Sequence, residues 1–197
     1  MKRRVVITGL GVITGIGRDV EEFWSNCLAG KTSVARIPEH WFNYSDFHSQ
    51  IWSPLPDVDY SSYEITRLEE KQLDKSSLMA IACAFQALDS AILPCVKIDK
   101  KRNTYSIQSV DNEKFGVFMG TGVGGLTTFA SCFSCQILTR QKVSLSKSIA
   151  LLEKNNNVDS LKDMLDKLLC PRRFNPFGVS MTMPNACSGN LGIKFKL

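Results

Sequence analysis

The chain has 197 residues, of which 44% are hydrophobic and 22% charged, and its formal net charge is +5. This length and composition predict a globular domain and exclude general disorder. The basic residues are scattered and no aromatic-basic motif accompanies them, so no nucleic-acid partner is expected, whereas a mild positive charge suits an acidic protein. No run of about 20 apolar residues occurs, so no membrane span is expected, and the interpretation is a cytoplasmic protein.

Seven cysteines are present, and most of them lie in apolar sequence. An odd number of cysteines with apolar neighbours favours reduced thiols in the core. Cys132 and Cys135 form a C-x-x-C motif, but no second pair follows, and the histidines of the chain are His40 and His48. A zinc site normally draws four ligands from such pairs, so no metal site is expected.

The first elements in chain order are a strand, a glycine-rich turn and a helix. The β-branched run Arg3–Thr8 predicts a buried strand that ends at Gly9. Asp19 and Glu22 have the spacing of a helix start, and Gly30 predicts the end of that helix. The glycines of the turn do not have the spacing of a dinucleotide-binding motif, and no cofactor is implied.

The next part of the chain is rich in loops and then becomes helical. Residues 31–73 contain prolines and several aromatic residues, which predict a loop-rich cap packed by those aromatics. Asp74 predicts the N-cap of a helix that Pro94 ends, and this helix is apolar around most of its circumference, as in a buried helix. The polar residues 97–114 predict a surface loop.

A second strand and further helices follow. Phe115–Gly120, FGVFMG, predicts a short buried strand that continues into a glycine-rich turn. Residues from about 127 to 169 predict helices with amphipathic stretches. Two buried strands separated by helices predict an α/β fold with a parallel sheet. Near the end, NACSG places Cys187 among small residues, which suit either a nucleophile in a tight turn or a core position on a helix.

Five segments occur in a fixed order: RRVVITGLGVIT, DVEEFW, LAGKTSV, GVFMGTGVGGL and PRRFNPFGVSMTMPNACSGNLGIKF. This ordered set resembles the type II β-ketoacyl-acyl-carrier-protein synthases, which have the thiolase fold. The resemblance implies an α/β thiolase-like fold in an incomplete amino-terminal half, with a parallel or mixed sheet, flanking helices and a loop-rich cap. Residues 1–197 are then a partial synthase domain, with a cap at 31–73 and a helical insertion at about 127–170.

The resemblance also implies a reaction and a partner. The family performs a decarboxylative Claisen condensation of an acyl thioester with malonyl-carrier, in fatty-acid or polyketide synthesis. A cysteine takes the acyl group, two histidines stabilise the enolate, and a lysine supports the site. The implied partner is an acyl carrier protein with a 4′-phosphopantetheine-linked substrate.

The match departs from the family at the catalytic residues. Aligned with the family, Cys187 falls on a small apolar helix position, and the family's nucleophile is expected beyond Leu197. His40 and His48 match neither catalytic histidine, so no catalytic residue is assigned. Three interpretations stay open: an inactive amino-terminal part of a synthase, one half of a split synthase, or a non-catalytic interaction protein that forms a homodimer or pairs with a synthase half.

Two residues match the family's acyl pocket. Val123 matches an aliphatic gate in the glycine loop, and Gly178 replaces the second Phe of a P-F-F motif. Both side chains are smaller than the family's, which predicts a wider pocket. Drift in a chain without selection for activity is an alternative explanation.

Four residues match basic positions that dock the carrier. These are Arg67 and Lys71, and a second pair, Arg172 and Arg173. Leu68 and Gln72 replace other basic residues of the family motif, which predicts weaker and more salt-sensitive docking. A solvated basic face without a partner is the alternative interpretation.

Overall fold

The computed structural model describes residues 4–40, 46, 48–152, 161, 162, 165 and 175–197. The chain forms two compact units. Unit 1 comprises Met1–Lys71, Lys75–Met119 and Cys187–Leu197, and unit 2 comprises Gln72–Asp74 and Gly120–Ala186. Four of the predicted cap aromatics lie outside the described residues: Trp41, Phe42, Tyr44 and Phe47.

Helices and short strands alternate along the described chain. In chain order they are α1 (Val20–Leu28), β1 (Ala35–Arg36), β2 (Ile51–Trp52), a 3-10 turn (Tyr60–Tyr63), α2 (Arg67–Gln72), α3 (Lys75–Ser90), β3 (Cys95–Asp99), β4 (Thr104–Ile107), a 3-10 turn (Asn112–Lys114), α4 (Leu126–Leu152), α5 (Gly178–Thr182) and α6 (Ala186–Phe195).

Helix α1 begins and ends where the sequence predicts. The Asp19 carboxylate accepts a hydrogen bond from Glu22 N at 2.8 Å, and the Glu22 carboxylate accepts one from Arg18 N at 2.8 Å. Gly30 follows the helix with φ of +63°, a conformation that favours glycine. None of the residues of α1 is buried, and Trp24 is 60% exposed. The described residues therefore cover the apolar face of this helix only in part, with Val20 and Phe23 half-buried.

The described strands form two antiparallel ribbons, β1 with β2 and β3 with β4. The expected strands at Arg3–Thr8 and Phe115–Gly120 belong to no ladder over their described residues. Val5 and Phe118 within them are 95% and 98% exposed. A strand forms only beside a partner, and the described residues supply none to these two segments. The parallel part of the expected sheet is therefore not built by these residues.

The expectation of a surface loop at residues 97–114 is wrong for residues 97–107, which belong to a β-hairpin. β3 and β4 pair as an antiparallel hairpin, with Lys97 opposite Tyr105. Tyr105 and Ile107 are 4% and 2% exposed, and Thr104 between the turn and Tyr105 is also buried. Tyr105 and Ile107 alternate with the polar Thr104 and Ser106, which is the period of two of a strand, but this run is only four residues long within a polar stretch.

Helix α3 lies at the centre of the core of unit 1. Ile81 and Ala82 are 1% and 0% exposed, which confirms the expected buried helix. The Phe85 ring contacts Tyr105 of β4 edge-on at 5.3 Å and Phe195 of α6 at 5.0 Å, measured between ring centroids. Aromatic pairs in this geometry add to the stabilisation from burial. The core of unit 1 thus joins α3, the β3–β4 hairpin and α6.

The segment after the expected first strand lies directly against α3. A Cβ atom on Gly11 would overlap the carbonyl oxygen of Cys83, and one on Gly9 would overlap that of Ala87. The backbone N–H of the next residue, Val12, donates a hydrogen bond to the side-chain oxygen of Gln86 at 2.8 Å. Glycine is required here because the two backbones approach more closely than a side chain permits.

Unit 2 is built on α4 and α5. The residues expected to be helical from about 127 form the single helix α4 as far as Leu152, and the rest of that region lies almost wholly outside the described residues. Gly125 precedes α4 with φ of +57°, and a Cβ atom there would overlap the Met181 carbonyl oxygen of α5. The glycine loop therefore packs closely on α5. That residues 127–170 are an insertion relative to the family stays a prediction.

Candidate functional site

Cys187 lies in the first turn of α6 and is 2% exposed. Its sulfur accepts a hydrogen bond from Ser77 Oγ at 3.6 Å and donates one to Ser76 Oγ at 3.5 Å. Asn190 Nδ2 donates to Ser77 Oγ at 3.0 Å, which completes a small buried polar group. A nucleophilic thiol needs access to substrate and a base beside it, and serine hydroxyls are not bases of that kind. The interpretation of Cys187 as a core helix residue is confirmed.

The predicted docking residues Arg67 and Lys71 are both exposed on α2. They are four residues apart, which places them on the same face of the helix. The second predicted pair, Arg172 and Arg173, lies outside the described residues. The structure therefore brings Arg67 and Lys71 together, and their role in docking stays a prediction.

A capping box fixes the start of α2. Thr66 Oγ1 accepts from Glu69 N at 3.2 Å, and Glu69 Oε2 accepts from Thr66 N at 2.8 Å. The two side chains satisfy backbone donors that a helix start leaves without partners. The spacing T-x-x-E of residues 66–69 is a sequence signal that indicates this helix start.

A buried ion pair holds the same helix from inside unit 1. Lys194 of α6 is 3% exposed, and its Nζ donates to Glu69 Oε1 and to the Glu64 carbonyl oxygen, both at 2.8 Å. Asn103 Nδ2 donates to Glu69 Oε2 and to the Glu64 carbonyl oxygen, both at 2.7 Å. The Tyr105 hydroxyl donates to the side-chain carboxylate of Glu64 at 2.8 Å. Helix α2, which carries the predicted docking residues, is therefore anchored through Glu69 to α6 and to the β3–β4 hairpin.

The electrostatics of this anchor follow from burial and hydrogen bonding. Burial by itself raises the pKa of Glu69, but hydrogen bonds from Lys194, Thr66 N and Asn103 outweigh it and hold the pKa below its ordinary value. Burial lowers the pKa of Lys194, and the hydrogen bond to Glu69 opposes that shift.

Sequence reasoning missed Glu69, Asn103 and Lys194. Lys194 in particular gives no local signal, because a lysine near the end of an amphipathic helix usually lies in water. Its burial depends on α2 and the β3–β4 hairpin, which are distant in the sequence.

An apolar cavity of about 200 Å³ lies in unit 2 between α4 and α5. The buried Gly178 of α5 is part of its wall. The lining residues are Phe129, Cys132, Phe133, Gln136, Gly178, Val179 and Thr182. Val123 is 68% exposed in the glycine loop and does not line this cavity. The structure thus places one of the two predicted pocket residues at a cavity and leaves the other on the surface.

The six described cysteines are free thiols, including Cys132 and Cys135. The described residues contain no group of three or more His, Cys, Asp or Glu side chains that could hold a metal ion. Within the same part of the chain, no helix is both long enough and apolar enough to span a bilayer.

A family model described as "Beta-ketoacyl synthase, N-terminal domain" matches residues 2–197, which is nearly the whole chain. The chain belongs to the β-ketoacyl synthase family. The resemblance drawn from the ordered motifs is thereby confirmed.

Curated synthases match the same region. A 3-oxoacyl-(acyl-carrier-protein) synthase 2 of Synechocystis sp. is 28% identical over 197 residues, covering 98% of this chain and 36% of the relative. The chloroplastic 3-oxoacyl-(acyl-carrier-protein) synthase I of Arabidopsis thaliana is 32% identical over 129 residues, covering 66% of this chain and 25% of the relative. The chain spans about a third of the length of the first curated synthases it matches.

Solved ketosynthases share the fold. A β-ketoacyl synthase from Burkholderia phymatum superposes with a TM-score of 0.58 at 18% identity, covering 99% of this chain and 38% of the other. The ishigamide ketosynthase/chain length factor superposes with a TM-score of 0.57 at 19% identity, covering 98% and 37%. The expected fold class, an incomplete amino-terminal half of the thiolase-like fold, is confirmed.

Proposed function

We propose that this chain acts as the amino-terminal part of a β-ketoacyl synthase and contributes carrier docking and a wall of the acyl pocket. The whole reaction is the decarboxylative condensation of an acyl thioester with malonyl-carrier. The family match over residues 2–197 carries the proposal. The curated relatives are named as acyl-carrier-protein synthases, which supports an acyl carrier protein as the partner.

The 197 residues by themselves do not catalyse the condensation in this proposal. Cys187, the cysteine whose small neighbours suit a nucleophile in a tight turn, is buried beside two serines. Acyl transfer requires a thiolate that can reach a thioester carbonyl, and Cys187 cannot do so without local unfolding. The nucleophile, the two histidines and the lysine then come from the part of a synthase that this chain does not match.

The docking role rests on α2. Arg67 and Lys71 are exposed on one face of a helix that Glu69 anchors to the core. Glu69 is paired with Lys194, so the exposed charges of α2 are Arg67, Lys71 and Glu70. The two cations on one face of a fixed helix favour encounter with an acidic carrier. Arg172 and Arg173 are included in this proposal only because they match basic positions of the family.

The pocket role rests on Gly178. Its position at an apolar cavity between α4 and α5 supports a pocket that is wider than one with Phe at this position. Val123 contributes only if the glycine loop borders the acyl chain in the assembled enzyme.

A second candidate function is pairing with another polypeptide, as a dimerising interaction protein or as half of a split synthase. The exposed apolar side chains of unit 1 favour it, since Val5, Ile7 and Phe118 are 95%, 82% and 98% exposed. Large apolar side chains that are almost wholly exposed favour burial against a partner. Light scattering of the purified chain tests this candidate: a monomer at all concentrations argues against pairing with itself.

Carrier docking is tested by fluorescence anisotropy with a labelled holo-acyl carrier protein and the full 197-residue chain. Replacing Arg67→Glu and Lys71→Glu together should weaken binding by about tenfold, because like charges then face the acidic carrier. The exposed pair Lys31→Glu and Arg36→Glu carries the same change in net charge and serves as the control. Equal losses in both variants would show that only net charge matters and would contradict docking on α2.

A further inference from the structure

The turn between β3 and β4 presents three consecutive cations, Lys100, Lys101 and Arg102. All three residues are exposed. Among the described residues, no ion pair within 4.0 Å uses their side chains. Three neighbouring positive charges outnumber the single carboxylate of Asp99 beside them and leave a local positive potential that attracts acidic surfaces.

Hydrogen bonds hold this turn in place at its first corner. Asp99 Oδ1 accepts from Lys101 N at 2.8 Å and from Arg102 N at 3.0 Å. The side chain of Asp99 is therefore engaged by the backbone of the turn, as in an Asx turn. The hydrogen bond from Arg102 N is the chief cause of a lowered pKa of the Asp99 carboxyl, and the charges of Arg102 and Lys196 lower it further.

The other corner is anchored in the core of unit 1. Asn103 is 6% exposed and has φ of +54°, in the left-handed region that asparagine tolerates better than most residues. Its amide group donates to the Glu64 carbonyl oxygen and to the Glu69 carboxylate. Because the backbone of the turn is fixed at both corners, less backbone entropy is lost on binding than with a mobile loop.

Asn103 also connects the turn to the docking helix. Glu69, which accepts its hydrogen bond, lies on α2 between Arg67 and Lys71. The hairpin turn and α2 are therefore in direct contact within unit 1. In place of two basic residues of the family motif, α2 carries Leu68 and Gln72.

We propose that Lys100, Lys101 and Arg102 extend the basic surface of α2 and compensate for the cations that this helix lacks, so that an acidic acyl carrier protein contacts both elements. This inference rests on the proposed function. Val96 and Ile98 on β3 are 49% and 47% exposed and offer apolar contact beside the charges, as protein interfaces commonly do. Nucleic acid is the less favoured partner, because the turn has no aromatic side chain on which a base could stack.

The experiment measures association of a labelled holo-acyl carrier protein with the full chain by stopped-flow fluorescence at several ionic strengths. The variant Lys100→Glu/Lys101→Glu should associate about tenfold more slowly than the wild type, with a weaker dependence on salt. Lys100→Arg/Lys101→Arg keeps the charge and should associate within about twofold of the wild-type rate. The control Lys31→Glu/Arg36→Glu should behave like the wild type.

The outcomes separate this inference from the proposed function. If the wild type binds the carrier and Arg67→Glu/Lys71→Glu weakens binding while the Lys100→Glu/Lys101→Glu variant does not, docking on α2 stands and the inference about the turn is overturned. If the wild type does not bind the carrier, both fail. If the wild type binds a short DNA duplex more tightly than the carrier, and the turn variant removes only DNA binding, the inference is also overturned.

Discussion

Lys194 Nζ and Glu69 Oε1 form a 2.8 Å ion pair in which the lysine side chain is 3% exposed and the carboxylate side chain 18% exposed. The pair joins the end of α6 to the start of α2, the helix that carries the proposed docking residues. Lys194 lies 5.3 Å from the centroid of the Tyr105 ring, which adds a cation–π contact. The stability of unit 1 and the position of its docking helix therefore depend on the same contact.

Removing the carboxylate charge should destabilise the protein strongly. Glu69→Gln leaves the Lys194 ammonium buried beside a neutral amide, and breaking a buried pair in this way costs about 3 kcal/mol of the free energy of unfolding. Glu70→Gln, an exposed change on the same helix, is the matched control and should cost less than about 0.5 kcal/mol. Urea unfolding followed by circular dichroism measures both, and equal losses would contradict a buried pair at Glu69.

Acid should weaken the same contact. A carboxyl group whose pKa is lowered by folding contributes stability above its unfolded pKa of about 4.3, and this contribution is lost as the pH falls through the folded pKa. Glu69 has such a lowered pKa, chiefly because the hydrogen bonds from Lys194, Thr66 N and Asn103 outweigh the effect of burial. The wild type should therefore lose more stability than Glu69→Gln between about pH 5 and pH 3. Urea midpoints over this range that fall in parallel for the two proteins would contradict the assignment.

Two glycines should respond differently to alanine. Gly11→Ala places a Cβ against the Cys83 carbonyl oxygen in α3, and we expect a loss of about 2 to 3 kcal/mol from this overpacking. Gly30→Ala meets no atom within 4 Å and is strained only by its φ of +63°, for about 1 kcal/mol. Thermal unfolding of the two variants compares them directly. A smaller effect at Gly11 than at Gly30 would mean that the segment does not lie against α3.

The Gln86 side chain should contribute more to the free energy of unfolding than an exposed polar side chain usually does. Its side chain accepts from Val12 N at 2.8 Å and donates to the Arg18 carbonyl oxygen at 2.7 Å and to the Tyr63 hydroxyl at 2.9 Å. Gln86→Leu leaves partly buried polar groups without partners and should cost about 2 kcal/mol of unfolding free energy. The exposed change Asp89→Asn on the same helix is the control, and a loss at Gln86 no larger than at Asp89 would argue against this role.

Local signals account for the parts of the fold that could be predicted. Asp19, Glu22 and Gly30 specify α1 through contacts within a few residues of each other. The position of Cys187 on a helix followed from the spacing of its neighbours within one family motif. Such features need no knowledge of distant residues, so the sequence alone predicts them.

The parts that could not be predicted depend on partners far along the chain. Residues 4–8 have the composition of a strand, but a strand needs a neighbour, and composition does not say whether one is present. The sequence gives little signal for the β3–β4 hairpin, because its apolar alternation is short and the burial of Tyr105 depends on Phe85 of α3. Lys194 became part of the anchor only through Glu69, which lies 125 residues earlier.

In the proposed function Cys187 is a core residue, and these 197 residues supply docking and pocket surfaces rather than the nucleophile. The most direct measurement is incubation of the full chain with a radiolabelled acyl-acyl carrier protein, followed by peptide mapping of any thioester. We expect no label on Cys187 in the wild type and no difference in the Cys187→Ala variant, because the thiol is 2% exposed beside Ser76 and Ser77. Stoichiometric label on Cys187 that disappears in Cys187→Ala would contradict the claim.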